Sequence, residues 1–318
     1  MNVCAVLVTY GERYQYFEKV IDRLLEIDVF RIIIIENGVG SESLKKLNKL
    51  ANISNINVHF LGNNKGSAYG FYEGIRLAIS TDSDYLWLLD DDNLPEYDAL
   101  DYLKKYYKFI CNKFKFRNRD LCLLSYRNDR ELYKLSVQKG IPDLMLGYNN
   151  SFLGFHLFKR KNSNNVIGRK DIKFGKVLVA PYGGMFFHKE LINKIGFPRK
   201  DFFLYADDHE FSYRINFGGS IFLILDSKID DLEKSFHLRN MSTKFRTRFH
   251  KTDSFDAIYY SVRNNVYFES KFVKSKLIYS INKYLYLIMI FILLSNDQKW
   301  LRKYKNVLKG VIDSKKLV

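Results

Sequence analysis

The sequence predicts an α/β protein: a mostly parallel central sheet with helices on both faces, followed by a basic, helical C-terminal extension. Three observations carry that expectation. Apolar strand-like runs alternate with helix-period segments through the first 125 residues, polar and acidic residues recur where those runs end, and the character of the chain changes near residue 241. Parallel strands joined by helices are covered on both faces, so they read as continuous apolar runs.

The elements follow in order. "VCAVLVTY" (3–10) is a buried strand, and "YQYFEKVIDRLLEI" (14–27) carries apolar residues at helical spacing. "RIIIIEN" (31–37) is a second strand, and "SESLKKLNKLA" (41–51) is a helix opened by a Ser, with acid in its first turn. "INVHFLGN" (56–63) is a third strand, "GSAYGFYEGIRLAIS" (66–80) a helix and "YLWLLDDD" (85–92) a fourth strand. Residues 126–175 mix short apolar runs with polar loops and read as sheet edge and loop. "VLVAPYGGMFFHKELINKIGF" (177–197) reads as strand, Gly-Gly turn, strand and amphipathic helix.

Composition narrows the class. The 318 residues suit one large α/β domain, 1–240, with an appended region, 241–318, and 47% hydrophobic residues supply a sizeable core. Cys4, Cys111 and Cys122 are odd in number and lack metal-ligand spacing, which argues for a reducing cytoplasm without disulfides or a zinc knot. "MNVCAVLVTY" has no basic leader and is expected to be a first strand, not a signal peptide.

Net charge is +16, and its placement is informative. Residues 241–318 hold 16 Lys and Arg against 5 Asp and Glu, whereas residues 1–240 hold 35 against 30. A basic extension suits nucleic acid, an anionic membrane or an acidic lipid-linked substrate. Its apolar run of ten residues, Leu285 to Leu294, is half of the about 20 that a spanning helix needs. Flanked by Lys271, Lys274, Lys276, Lys283, Lys299, Arg302, Lys303 and Lys305, it reads as a helix in a bilayer interface or as a buried or oligomer-forming helix.

In open α/β sheets ligands collect beyond the carboxyl ends of the strands. Thr9-Tyr10-Gly11, Glu36-Asn37-Gly38, Asn63-Asn64-Lys65-Gly66 and Asp90-Asp91-Asp92 would line that edge. Three adjacent aspartates repel one another, so "YLWLLDDDNLP" is either a solvated turn or a cation site. Asp90 and Asp92 would point to one side and Asp91 away, a hard-oxygen pair suited to Mg²⁺ or Mn²⁺ gripping a diphosphate. A second acidic cluster, Asp207, Asp208 and Glu210, follows "FFLYA", with Arg214 four residues beyond Glu210. It reads as acid at a helix N-terminus or as a general base facing the metal.

"VLVTY", "IIIIENG", "NNKGSAYGFYEGIRLA", "WLLDDDNLP", "PYGGMFFHKELINKIGFP" and "FFLYADDHEFSYR" occur in that order. Together they resemble the family 2 glycosyltransferases of the GT-A fold, which use nucleotide sugars. The resemblance covers about residues 1–240 and, more weakly, "AIYYSVRNNVYF" (257–268). It implies that Asp90 and Asp92 form the metal-binding DxD, joined by His237, and that Asp208 is the catalytic base. It places Thr9, Tyr10, Glu36, Asn37, Asn64, Gly66, Arg76 and Asp91 on the donor side. Gly183, Gly184, Asp207, Glu210 and Arg214 fall on the acceptor side.

The triple Asp, "NNKGSAYGF" and "ADDHEF" are closest to the galactofuranosyltransferase and rhamnosyltransferase branches. The expectation is therefore inverting, Mn²⁺- or Mg²⁺-dependent transfer of galactofuranose from UDP-galactofuranose, with dTDP-rhamnose or another UDP-hexose as the alternative donor. The acceptor would be a glycan or lipid-linked glycan in cell-surface polysaccharide synthesis. The enzyme would sit peripherally at the cytoplasmic face of the membrane, with a homo-oligomer contact through the extension. Nucleic acid is not an expected partner, since no zinc-finger, RNA-recognition or helix-turn-helix pattern occurs. The single Gly11 after the first strand, without GxGxxG, argues against a dinucleotide enzyme.

Overall fold

The computed structural model describes residues 1–27, 29–157, 169, 171–233, 249 and 252–317. The chain divides into two compact units. One comprises Met1–Met145, Ile167–Phe203 and Asp208–Phe236; the other comprises Leu146–Val166, Leu204–Asp207 and His237–Val318.

The first unit is built on a nine-stranded sheet. Its elements are β1 (Val3–Gly11), α1 (Tyr14–Glu26), β2 (Arg31–Val39), α2 (Ser41–Leu50), β3 (Ile56–Phe60), α3 (Ser67–Ile79), β4 (Tyr85–Asp90), β5 (Asn93–Pro95) and α4 (Ala99–Phe114). They continue with β6 (Leu121–Arg127), α5 (Glu131–Lys139), β7 (Phe174–Val177), β8 (Met185–His188), α6 (Glu190–Ile195), α7 (Asp207–Ile215) and β9 (Ser220–Asp231). The order is β3-β2-β1-β4-β8-β6-β9-β5, with β7 also on β9.

The half formed by β3, β2, β1 and β4 is parallel, and β6 pairs β9 in parallel. Antiparallel β8 joins these two parts, and antiparallel β5 and β7 flank β9.

Alternation along each strand sorts the core into two layers. Ala5, Leu7, Trp87 and Leu89 face Phe17 and Leu24 of α1 and Leu103 and Tyr107 of α4. Cys4, Val6, Leu86 and Leu88 face Phe71 and Ile75 of α3 and Phe211 and Ile215 of α7. Helices therefore cover both faces of the sheet.

The structure also departs from the sequence expectations. β3 stops at Phe60 and β4 at Asp90, and Asp91-Asp92 form a turn into β5. Residues 126–175 contain α5, whose Tyr133 and Val137 reach the core. The strand expected from residue 177 instead ends there, because Leu178 N donates to Pro142 O and Ala180 N to Ser212 Oγ, away from the ladder.

The second unit contains α8 (Phe255–Glu269), α9 (Lys276–Leu294) and α10 (Trp300–Asp313). Ser254 and Ser275 cap α8 and α9 by accepting from Ala257 N and Ile278 N. Phe152, Ile258, Val262, Tyr286, Ile290 and Val307 share its core. α9 outlasts the ten-residue run read from the sequence: by length and composition alone its 19 residues, mean hydropathy 1.9, are enough to cross a membrane.

Candidate functional site

The ends of β1, β2 and β4 meet at one edge because the three strands are parallel and in register, with Thr9 opposite Glu36 and Val8 opposite Asp90. The acidic run sits at this edge with two arginines that its sequence neighbourhood does not announce. Asp91 is buried and accepts from Thr9 Oγ1 at 3.0 Å and from Arg13 Nε at 2.9 and 3.0 Å. Arg13 Nη2 lies 3.2 Å from Asp92 Oδ2, and its Nη1 pairs with Glu233.

Arg127 closes the apolar strand β6 and is itself buried. Its Nη1 donates to Asp90 Oδ2 at 3.1 Å, and its Nη2 and Nε donate to Asp231 Oδ2 at 2.5 and 3.1 Å. Asn93 completes the mesh: its Nδ2 donates to Asp231 Oδ1 at 2.8 Å and its Oδ1 accepts from Asp90 N at 3.0 Å. Arg130 approaches Asp231 at 3.7 Å. Five carboxylates, counting Glu233, thus face three guanidinium groups.

Burial first, and the crowding of like charge second, raise the proton affinities here. Burial, together with the charges of Asp90 and Asp91, pushes Asp92 up to about 7 despite Arg13. Burial raises Asp91 to about 6, with Arg13 and Thr9 acting against it. Asp90 is raised by its enclosure, against Arg127, and further by the charges of Asp231 and Asp208. Asp208 therefore lies within electrostatic reach of Asp90. It is half-buried in the first turn of α7, and its Oδ1 accepts from His209 N at 2.7 Å. Among the described residues no three His, Cys, Asp or Glu side chains are grouped to enclose a metal ion.

Several residues expected at the ligands turn out to build the edge. Glu36 is buried and saturated by backbone donors: Gly38 N and Val39 N at 2.7 Å, and Gly62 N at 2.9 Å. Asn37 donates to Gly66 O and accepts from Lys65 N, and Asn64 accepts from Gly66 N. Gly66 has φ of 84°, and a Cβ there would stand 2.0 Å from Phe203 O. Glu36 and Asn37 thus hold the loops at this edge through their polar atoms. Arg76 pairs with Glu73 at 2.7 Å, whereas Tyr10 is 47% exposed at the edge, under the Arg13 guanidinium.

The acceptor-side residues divide likewise. A Cβ on Gly183 would lie 2.1 Å from Asn93 Oδ1 and 2.7 Å from Asp90 Oδ2, so this glycine leaves room for the acid mesh. Gly184 N donates to Leu88 O and its carbonyl accepts from Ser125 N, linking the strand sequences of β4 and β6. Glu210 and Arg214 form the expected helical pair at 3.1 Å, but Arg214 also donates to Ile195 O and Phe197 O. These contacts commit the pair to holding the end of α6. Asp207 is buried at the start of α7. His237 lies outside the described residues.

Arg13, Asn93, Arg127 and Asp231 were not singled out from the sequence. A visible signal exists for one of them: an arginine ending the apolar run "LCLLSYR" is a charge that must find a buried acid.

Residues 4–196, more than half of the chain, match the family model described as Glycosyl transferase family 2. The chain belongs to glycosyl transferase family 2. Solved structures share the fold of this family 2 member at low identity. GalNAc-T7, crystallised with UDP, GalNAc and Mn²⁺, aligns with TM-score 0.55 and 12% identity over 100% of this chain and 56% of its own. This family 2 chain therefore spans little more than half of GalNAc-T7. The mannosyltransferase PcManGT from Pyrobaculum calidifontis, in complex with GDP-Man and Mn²⁺, aligns with TM-score 0.53 and 11% identity over 98% of this chain and 86% of its own. S. aureus TarS 1–349 aligns with TM-score 0.51 and 12% identity over 99% of this chain and 92% of its own. The shared fold is GT-A: a Rossmann-like sheet between helices, with helices following at the C-terminus. A comparison with curated protein sequences gives no match.

Proposed function

We propose that this glycosyltransferase moves a sugar from a nucleotide-sugar donor to a hydroxyl of a glycan or lipid-linked glycan, inverting the anomeric carbon. We take UDP-galactofuranose as the donor, with dTDP-rhamnose as its competitor, in cell-surface polysaccharide synthesis. The observation that carries the reading is the acid mesh at one sheet edge, where Asp90, Asp91 and Asp92 follow β4 and are held by Arg13 and Arg127, with Asp208 half-exposed at the start of α7.

The donor set fits a divalent cation. Mg²⁺ and Mn²⁺ need only one or two protein carboxylates when substrate phosphates supply further oxygens. Asp90 and Asp92 provide such oxygens, and Arg13 is the one cation within ion-pair distance of Asp92 among the described residues. When bound, the cation would neutralise the departing nucleoside diphosphate.

The remaining steps belong to the chain. Tyr10 offers an exposed ring at the edge for the nucleobase, and Arg13 and Arg127 hold Asp91 and Asp90 in place. Asp208 accepts the proton of the acceptor hydroxyl as that oxygen attacks the anomeric carbon opposite the diphosphate. One base opposite the leaving group suffices for inversion. The sharing of this fold with proteins crystallised with UDP or GDP-Man supports the donor class.

The test is binding and turnover over a panel of UDP-, dTDP- and GDP-sugars with Mn²⁺, Mg²⁺ or EDTA. We expect one donor to bind only with metal and Asp92→Ala to lose it. Asp208→Asn should bind normally but turn over about 10²–10⁴-fold more slowly. An Asp208→Asn variant with full turnover would remove Asp208 from the proposed mechanism.

A further inference from the structure

We propose that the outward face of α9 is a docking surface that lies along an anionic lipid bilayer. The two faces of this helix differ in kind. On the inner face Asn282 Nδ2 donates to Asn150 O at 2.8 Å, and its Oδ1 accepts from Leu157 N at 3.1 Å. Tyr286 meets Phe152 edge-on with centroids 5.5 Å apart, and Ile290 and Leu294 are buried.

On the outer face Leu277, Ile281, Tyr284, Ile288, Phe291 and Ile292 are exposed, with Leu277 at 73%, Ile288 at 59% and Ile292 at 61%. Steps of three and four residues place them in one stripe along the helix. From Leu277 to Ile292 that stripe runs about 22 Å along the 19-residue helix. An apolar surface of this length is unusual on a soluble monomer.

Charge selects the occupant. α9 contains no Asp or Glu, and Lys271, Lys274, Lys276, Arg302 and Lys305 at or near its ends are exposed cations, while exposed Lys299 pairs with Asp253 at 3.1 Å. Asp297, the only acid between Lys271 and Lys305, lies 2.6 Å from Lys303. A second copy would bring the same cations against themselves, whereas anionic headgroups complement them. Lys283 Nζ sits 4.7 Å from the ring centroid of exposed Tyr284, an apolar body with polar tips suited to the headgroup level.

The geometry favours lying flat over spanning. The helix is long enough to cross, but its inner face is committed to Asn150, Leu157 and Phe152. An interfacial helix needs only one face to enter the acyl boundary, to a depth of about 5–10 Å. The inference stands apart from the transferase reading, because nothing in it uses the donor or the acid mesh.

The test is flotation of the full chain with vesicles of phosphatidylcholine alone or with added phosphatidylglycerol, at low and high salt. We expect flotation with phosphatidylglycerol vesicles and release by salt. Ile281→Asp with Ile288→Asp should abolish flotation without changing the circular dichroism or thermal midpoint. Lys274→Glu with Lys276→Glu should lower the partition about fivefold or more for each charge. Four outcomes would overturn the proposal: no flotation under any condition, equal flotation with phosphatidylcholine alone, resistance to alkaline extraction, or a dimer that the Ile281→Asp/Ile288→Asp variant dissociates with no vesicle binding.

Discussion

Arg127 grips Asp231 through two nitrogens, Nη2 at 2.5 Å and Nε at 3.1 Å, while its Nη1 reaches Asp90. One buried guanidinium thereby joins the ends of β4, β6 and β9. Removing it would leave Asp231, itself 3% exposed, with only Asn93 and the more distant Arg130 at 3.7 Å to offset its charge. Arg127→Leu should therefore cost about 3–5 kcal/mol in urea denaturation. Arg127→Lys should recover only part of this, since an ammonium cannot fork. A loss below 1 kcal/mol for the leucine variant would show that the pair is not structural.

Asn264 secures a strained turn in the second unit. It is fully buried, and its Nδ2 donates to Leu204 O at 2.8 Å and Tyr205 O at 3.0 Å. Tyr205 and Ala206 have φ of 70° and 58°, a region that L side chains rarely occupy. Asn264→Ala should destabilise by about 1–3 kcal/mol through two orphaned carbonyls. Asn264→Asp should cost more, since it turns a carboxylate on them. Calorimetry of both variants checks the order, and an aspartate variant as stable as wild type would contradict it.

Gly183→Ala probes the acid mesh from behind. The added methyl group would displace Asn93 and the Asp90 carboxylate, at an overpacking cost of about 1–3 kcal/mol. We expect the folded variant to lose metal-dependent donor binding in calorimetric titration. Normal binding at unchanged stoichiometry would mean that the mesh tolerates a shift.

The difference in pH dependence of stability between wild type and Asp120→Asn should report Asp120, which takes no part in the acid mesh. Burial raises its proton affinity, but hydrogen bonds from Lys194 and Arg117 outweigh this and lower it. A carboxyl depressed on folding contributes stability above its unfolded value, near 3.8, and loses it as pH falls through the lower folded value. Asp120→Asn should therefore lower the thermal midpoint at pH 7 and converge on wild type under strong acid. A gap that persists there would assign the effect to packing.

Much of the fold was legible because parallel strands announce themselves. "VCAVLVTY", "RIIIIEN" and "YLWLLD" are apolar throughout and each ends in polar residues, so the edge shared by Thr9, Glu36 and Asp90 could be read directly. The work done at that edge was less legible. Glu36 and Asn37 look like ligand contacts, but a strand end also leaves backbone donors that need acceptors, and these two side chains supply them. The crowding of Asp90, Asp91 and Asp92 suggested a cation, and the structure adds Arg13 and Arg127 as counter-charges. Their partners lie 37 to 220 residues away, beyond any local pattern. α5 was missed for a related reason: "ELYKLSVQK" shows only a short apolar stripe, and packing of Tyr133 and Val137 decides its state.

Arg13 and Arg127 also impose an order on synthesis. The aspartates emerge from the ribosome by residue 92, yet Asp231 and Glu233, which anchor their arginines, follow about 140 residues later. At about 5–20 residues per second the nascent chain carries an incomplete charge mesh for roughly 7 to 28 seconds. Closing contacts of such sequence separation is slow, so this edge of the sheet is a late step in folding. Truncation just before Asp231 would leave the strands of the parallel half intact in sequence but their acidic corner unlatched.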